Sequence, residues 1–215
     1  MKYNKFMKLI LSSDGSFLLK YGYEQTGIPK DQMRIGYVTT AYQVSRNNFE
    51  FFENYKNKVR DAGYNFEEID IKDKSEEKLR EFFKDKNIIH IEGGNTFYLL
   101  KIIRETGFDK ILKDLINEGK VYIGTSAGSY VMCPTIEVAN WNTDGIDRFG
   151  VTNFKALDIV PFVLKVHYKD EMEEKVKEGI KNLKCPIRIL RDGQGIIVEN
   201  DEYTFMGDGE EVILK

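Results

Sequence analysis

The sequence is poor in cysteine and in histidine, with two residues of each among its 215 positions. Cys133 and Cys185 are too few for a disulfide framework, and their spacing does not make a metal-binding or redox pair. Such sparse cysteine usage fits a reducing compartment. We therefore expect both thiols to be buried and unbonded.

Long apolar runs and an excess of one charge are also missing. No stretch reaches the roughly 18 uninterrupted apolar residues that a membrane-spanning helix needs. Residues 1–10 contain only a short apolar run, interrupted by Lys8, and predict a first strand rather than a secretory signal. The 32 basic and 35 acidic residues are interspersed and leave a net charge of -3, so no basic face for nucleic acid is expected. We expect a soluble, cytoplasmic protein with neither a membrane nor a nucleic-acid partner.

Hydrophobic residues make up 41% of the chain and charged residues 31%, which is typical of a globular protein. The length favours a single domain over residues 1–215. Short apolar runs alternate with segments of helical period, which predicts a three-layer α/β/α fold with helices on both faces of a mainly parallel sheet. Strands are predicted at residues 7–11, 34–39, 66–71, 87–91 and 121–125. Helices are predicted at 48–62, 75–84, 97–104, 108–118 and 171–183, and short, partly antiparallel strands at 187–190, 195–198, 203–206 and 212–214.

The strongest functional signal lies at residues 121–128, where an apolar strand runs directly into Gly124-Thr125-Ser126-Ala127-Gly128. This is the pattern of a nucleophile elbow, in which small neighbours let a strained turn expose the serine hydroxyl. A tight turn or an anion-binding nest gives a similar glycine and serine pattern. The preceding strand favours the elbow.

A serine hydroxyl needs a base to become a nucleophile, and only His90 and His167 can supply an imidazole. His90 lies inside the apolar run 88–91, which indicates a buried structural histidine. His167 ends an apolar run and is followed by polar residues, so it can project from a strand end into a cleft. We interpret His167 as the base; the alternative is a surface histidine bonded to backbone.

A base histidine also needs an acceptor that fixes its tautomer. Asp192 follows a predicted strand and is a candidate, although an Asp-Gly pair fits an ordinary hairpin turn equally well.

A second glycine pattern, Gly93-Gly94-Asn95-Thr96, follows the predicted strand 87–91 and opens a predicted helix. The N–H groups of Gly94 and Ala127 could therefore form an oxyanion hole. The alternative is a glycine turn with Asn95 or Thr96 as the helix N-cap, and both interpretations can hold together. A dinucleotide site is disfavoured because the spaced glycine fingerprint is missing.

Together, these motifs resemble the aspartyl dipeptidase (peptidase E) family of serine peptidases, peptidase family S51, which is related to the cyanophycinases. The resemblance spans nearly the whole chain and includes Gly93-Gly94-Asn95-Thr96-Phe97, the Ser126 motif, Cys133-Pro134-Thr135-Ile136 and His167. It implies a class I glutamine amidotransferase-like (flavodoxin-like) sheet with serine in place of cysteine. It further implies that no metal or organic cofactor is needed. We expect short peptide substrates, an acyl-enzyme, and a monomer or homodimer.

Carried over by position, the resemblance implies a triad of Ser126, His167 and Asp192, with Gly94 and Ala127 as oxyanion donors. The third triad member of the family is a glutamate, so Asp192 is shorter by one methylene.

A further departure follows the Cys-Pro-Thr-Ile segment, where the family has an arginine and an Asn-Asp pair. Here Glu137, Asn140 and Trp141 occupy this region, and with Asn95 they are our candidate substrate-binding residues. Glu137 would repel an acidic N-terminal residue, so a strict preference for aspartyl peptides is not expected. The sequence thus predicts a serine peptidase for small peptides. An amidase or esterase with the same triad, or an inactive binding protein of this fold, are the alternatives.

Overall fold

The computed structural model describes residues 7–44, 49–141 and 147–214. A seven-stranded sheet runs through its centre in the order β3-β2-β4-β5-β1-β8-β9. The first five strands in this order are mutually parallel, whereas β8 is antiparallel to β1 and to β9. A separate sheet pairs β6 with β7 in parallel. The strands are β1 (Lys8–Ser12), β2 (Ile35–Val38), β3 (Phe66–Ile69), β4 (Ile88–Ile91), β5 (Val121–Thr125), β6 (Val163–Lys165), β7 (Ile187–Ile189), β8 (Gln194–Glu199) and β9 (Glu202–Gly207).

Seven α-helices connect or cover these strands: α1 (Gly15–Phe17), α2 (Phe49–Asp61), α3 (Glu76–Phe83), α4 (Thr96–Thr106), α5 (Phe108–Asn117), α6 (Ala127–Tyr130) and α7 (Glu173–Ile180) among the described residues. A π-helical turn, Leu18–Gly22, follows α1. Ser75 caps α3 by accepting a hydrogen bond from the Lys78 N–H, as its sequence position predicts.

Apolar side chains cover both faces of the sheet. Leu9 and Leu11 of β1 belong to the larger hydrophobic cluster, whereas Ile10 between them belongs to a second cluster. Because successive strand residues point to opposite faces, the two clusters are the two helix–sheet interfaces of a three-layer fold. The predicted α/β/α architecture is confirmed.

The seven strands of the central sheet and β7 agree with the predicted ones to within two residues at each end. The predicted strand at 212–214 is wrong, because Val212 makes only an isolated bridge to Ile189. The predicted helix 171–183 is shorter, since Asp170–Met172 forms a 3-10 turn and the α-helical part is Glu173–Ile180. Cys133 is buried as expected, whereas Cys185, in the loop between α7 and β7, is only partly buried against the edge of the main hydrophobic cluster.

Across 7–44, 49–141 and 147–214, no helix is both long and apolar enough to cross a lipid bilayer.

Candidate active site

Ser126 lies at the turn between β5 and α6, with backbone angles φ 48° and ψ -102°. This conformation is sparsely populated by residues other than glycine and stores strain at the turn. Small neighbours are required, because a Cβ on Gly128 would lie 2.1 Å from the Ile91 carbonyl oxygen and one on Gly124 would lie 2.7 Å from Gly128. The strand-to-helix turn expected at this serine is therefore present.

His167 lies just beyond β6 and brings its ring to Ser126. Its Nε2 is 2.9 Å from the Ser126 Oγ, and its Nδ1 is 2.6 Å from Asp192 Oδ1. A carboxylate only accepts hydrogen bonds, so Nδ1 carries the proton and Nε2 is free to accept from the serine hydroxyl. The side chain is 39% exposed, and the backbone has a positive φ of 54°. His167 thus faces a cleft from a strand end.

Asp192 occupies the turn between β7 and β8. Gly193 has φ 81°, and the Gln194 N–H closes the turn on the Arg191 carbonyl, so the Asp-Gly pair is a turn as well as a partner for His167. Its carboxylate reaches His167 although it is one methylene shorter than a glutamate. The hydrogen bond from His167 is the main reason that the pKa of the Asp192 carboxyl is lowered.

The loop between β4 and α4 packs against Ser126. A Cβ on Gly93 would lie 3.3 Å from the Ser126 Cβ, and one on Gly94 would lie 2.4 Å from the Ala41 carbonyl. Gly94 also has φ 136°, which side chains rarely tolerate. Ala127 opens α6, and the first N–H groups of a helix have no partner inside it. Of the two predicted oxyanion donors, Ala127 directly follows Ser126, and Gly94 directly follows the glycine that packs against Ser126 and lines the same cavity as the serine.

A cavity of about 890 Å³ opens in front of these residues. Ser126, His167, Asp192 and the Gly93-Gly94 loop line one part of it. The sequence analysis did not single out the rest of the lining. It includes an apolar wall of Leu19, Phe51, Phe52 and Tyr55. It also includes three charged side chains, Asp14, Lys58 and Glu92.

Of the four candidate substrate-binding residues, only Asn95 lines this cavity. Its side-chain oxygen accepts from the Tyr98 N–H at 2.9 Å, so the predicted N-cap of α4 is present. Glu137, Asn140 and Trp141 lie in a 3-10 turn outside the cavity lining. The indole of Trp141 packs closely over Gly179 of α7 and does not line the cavity.

His90 is completely buried on β4. Its Nδ1 lies 3.0 Å from the Tyr23 hydroxyl and its Nε2 lies 3.0 Å from the Thr125 hydroxyl. Burial lowers the pKa of this imidazole to about 3, so the ring is neutral. The interpretation of His90 as a buried, hydrogen-bonded structural residue is confirmed.

Glu92 is a second buried ionisable group at the end of β4, and it lines the cavity. It accepts hydrogen bonds from the Gly93 N–H at 2.6 Å and from the Tyr37 hydroxyl. Burial raises the pKa of its carboxyl. Within the described ranges, no group of three or more His, Cys, Asp or Glu side chains is arranged to hold a metal ion.

Comparison with known proteins identifies the family. The model of peptidase family S51 matches residues 21–206. The chain belongs to peptidase family S51. Membership of this family confirms the resemblance drawn from the sequence motifs, and it makes the chain a peptidase.

Individual members of the family align over most of the chain. An uncharacterized peptidase of Listeria monocytogenes serovar 1/2a is 29% identical over 84% of this chain and 85% of its own length. Peptidase E of Escherichia coli O1:K1 is 36% identical over 61% of this chain and 60% of its own. A crystal structure from Listeria monocytogenes EGD-e, provisionally described as a peptidase E, superposes with a TM-score of 0.79 at 25% identity, covering 94% of this chain and 98% of that one. The fold is that of its S51 relatives.

Proposed function

We propose that the chain is a serine peptidase that hydrolyses short peptides, with Ser126 as nucleophile, His167 as general base and Asp192 as the acid that orients it. One observation carries the proposal. An unbroken hydrogen-bond chain runs from the Ser126 hydroxyl through the imidazole to the Asp192 carboxylate, and it opens into the large cavity of a peptidase-family fold.

The geometry supports acyl transfer. His167 Nε2 takes the proton as Ser126 Oγ attacks the scissile carbonyl, and Asp192 stabilises the imidazolium that forms. The N–H groups of Gly94 and Ala127 donate to the oxyanion of the tetrahedral intermediate. His167 then passes the proton to the leaving amine, which leaves an acyl-enzyme on Ser126. A water molecule, deprotonated by the same imidazole, hydrolyses that ester and restores the serine.

Short substrates are supported by the cavity and by the relatives. The cavity of about 890 Å³ is lined by the Gly93-Gly94 loop, by α2 and by the segment after β1. Pockets of this size suit small ligands better than an extended polypeptide. The relatives include proteins named peptidase E and a probable alpha-aspartyl dipeptidase of Drosophila melanogaster, which is 29% identical over 76% of this chain and 71% of its own length. We extend a dipeptidase-like activity to this chain on those grounds.

A fluorophosphonate probe tests the nucleophile, because only an activated serine reacts with it. We expect the wild type to be labelled at Ser126 and the Ser126→Ala variant to remain unlabelled. Ser16→Ala is the matched control, since Ser16 lines the same cavity but donates its hydroxyl to Asp14. Labelling of Ser126→Ala at the wild-type rate would show that another residue is the nucleophile.

A substrate panel then tests the reaction. Dipeptides, longer peptides and simple esters are incubated with the wild type and with Ser126→Ala, and the products are identified by mass spectrometry. We expect Ser126-dependent cleavage of the short peptides. Ester cleavage without peptide cleavage would point to an esterase, and an unlabelled, inactive wild type would point to a binding protein of the same fold.

A further inference from the structure

Ser13 is a fully buried residue directly after β1, and it contacts both His167 and Asp192. Its Oγ is 2.9 Å from the His167 backbone nitrogen and 2.9 Å from Asp192 Oδ1. Its own N–H donates to the Gln194 carbonyl at 2.9 Å, which ties it to the start of β8. One hydroxyl thus contacts both His167 and Asp192, which are 25 residues apart in the chain.

The direction of each hydrogen bond is fixed. A backbone N–H can only donate, so the Ser13 oxygen accepts from His167. The Ser13 hydroxyl proton is then free to point at Asp192, whose carboxylate can only accept. Oδ1 of Asp192 therefore receives two donors, the Ser13 hydroxyl and the His167 ring.

Both partners need such an anchor. The Asp192 side chain is 53% exposed and that of His167 is 39% exposed, so contact with the core restrains neither on every side. The His167 backbone also has a φ of 54°, a conformation that residues other than glycine rarely adopt and that persists only where surrounding contacts hold it. The bond from its N–H to a buried hydroxyl is one of these contacts.

We propose that Ser13 is a positioning residue of the site, which holds the His167 backbone and the Asp192 carboxylate in register so that the imidazole stays aligned with Ser126. This inference rests on the proposed function, since it gives Ser13 a role in the same proton transfer. Ser13 does not touch the reacting atoms and acts only through its two partners.

The test compares Ser13→Ala with Ser12→Ala. Ser12 is equally buried, but its hydroxyl donates to the Gly124 carbonyl, which also accepts from Ser129. Small displacements of a catalytic group cost up to about 100-fold, so we expect kcat to fall about 10- to 100-fold in Ser13→Ala with KM little changed. Ser12→Ala should change kcat less than about threefold. Equal kcat values in the two variants would overturn the proposal.

A second readout does not depend on turnover. The proton on His167 Nδ1, held by a short bond to Asp192, should give a downfield NMR resonance, assigned by its loss in His167→Ala. We expect Ser13→Ala to shift or broaden this resonance and Ser12→Ala to leave it in place. An unchanged resonance in Ser13→Ala would overturn the proposal even if the wild type proved to have no peptidase activity, which separates its failure from that of the proposed function.

Further variants distinguish loss of the Ser13 hydroxyl from misfolding. Ser13→Cys nearly preserves the side-chain volume, but a thiol is a weak donor and acceptor, so it should reproduce the Ser13→Ala effects. Ser13→Thr keeps the hydroxyl and should retain the downfield resonance. Thermal melts of all variants establish that folded proteins are being compared.

Discussion

The imidazole rings of the two histidines each have two hydrogen-bond partners but lie in opposite surroundings. His90 is sealed in β4 between the hydroxyls of Tyr23 and Thr125, whereas His167 stands at the cavity between a hydroxyl and a carboxylate. A buried imidazole with neutral partners stays neutral, as the lowered pKa of His90 shows. An imidazole beside a carboxylate and open to a cavity has the partners that a general base needs. The charge and exposure of the partners, not their number, therefore distinguish a structural histidine from a candidate base.

The largest effect on activity is expected from removing one histidine at a time. We expect His167→Ala to lower kcat/KM by about ten thousand-fold or more, because it removes the only imidazole that contacts Ser126 in the described structure. His90→Gln should retain activity within about tenfold and lose stability instead, because its cost is that of disturbing a buried hydrogen-bonded group. Rates and thermal melts are measured on both variants. Equal losses of activity at equal stability would show that the two histidines do not divide these roles.

A smaller effect is expected when Asp192, the charged partner of His167, is made neutral, so that both ring partners are uncharged like those of His90. Asp192→Asn keeps the side-chain size but removes the charge that stabilises the imidazolium and fixes its tautomer. We expect kcat to fall about 100- to 10,000-fold, measured by steady-state kinetics. Asp208→Asn is the control, since it neutralises an exposed aspartate that pairs with Lys20 at 2.8 Å and does not line the cavity. A drop of similar size in the control would point to a general charge effect.

The core of the fold and the centre of the site could be predicted from local patterns. β5 and the turn at Ser126 depend on a short apolar run followed by small residues, and only small residues fit against Ile91 there. The burial of His90 follows from its apolar neighbours on β4. These features are encoded by adjacent residues, so periodicity and turn chemistry are enough to find them.

Features that depend on how distant segments pack could not be found in this way. Ser13 contacts His167 and Asp192 only because β1 lies beside β5 and β8 in the sheet, and its sequence neighbours give no sign of that order. Trp141 was placed in the substrate site by its position in the family pattern. It packs over Gly179 instead, because α7 lies against its 3-10 turn.

The third prediction concerns the pH dependence of the free energy of unfolding, and it follows from His90 being neutral in the folded protein. Its pKa is about 3 in the folded protein and about 6.5 in the unfolded chain, so below pH 6.5 the unfolded chain binds a proton that the folded protein does not. Stability from this group is therefore fully present above pH 6.5 and is lost as the pH falls toward 3. Between pH 7 and pH 5, the free energy of unfolding should drop by about 2 kcal/mol more in the wild type than in His90→Gln.

Urea unfolding of both proteins at pH 5 and pH 7 measures this difference. Both proteins must be compared because Glu92 is present in each and has the opposite pH dependence. Burial raises the pKa of its carboxyl, so its contribution to the free energy of unfolding increases as the pH falls. Identical pH dependence in the two proteins would mean that the folded protein accepts a proton on His90.

The smallest expected effect concerns the apolar wall of the cavity that His167 also lines. Phe51 is 67% exposed and lines the cavity, whereas Ile213, with 77% exposure, lies outside the cavity lining. Covering an exposed phenyl ring with an apolar substrate side chain is worth about 1 kcal/mol. Phe51→Ala should therefore raise KM about three- to tenfold for peptides containing Leu or Phe, and less than about twofold for peptides of Gly or Ala.

Ile213→Ala is the matched control and should leave every KM unchanged, because it removes a similarly exposed apolar side chain elsewhere. The carboxylate of Asp14 in the same cavity raises the cost of binding an acidic side chain, so peptides beginning with Asp should be cleaved more slowly than those beginning with Leu or Phe. Measuring kcat/KM for peptides that begin with Asp, Leu or Phe tests this order of cleavage rates. A clear preference for Asp, abolished by Lys58→Ala, would show that the cation on α2, rather than the phenyl ring beside it, selects the substrate.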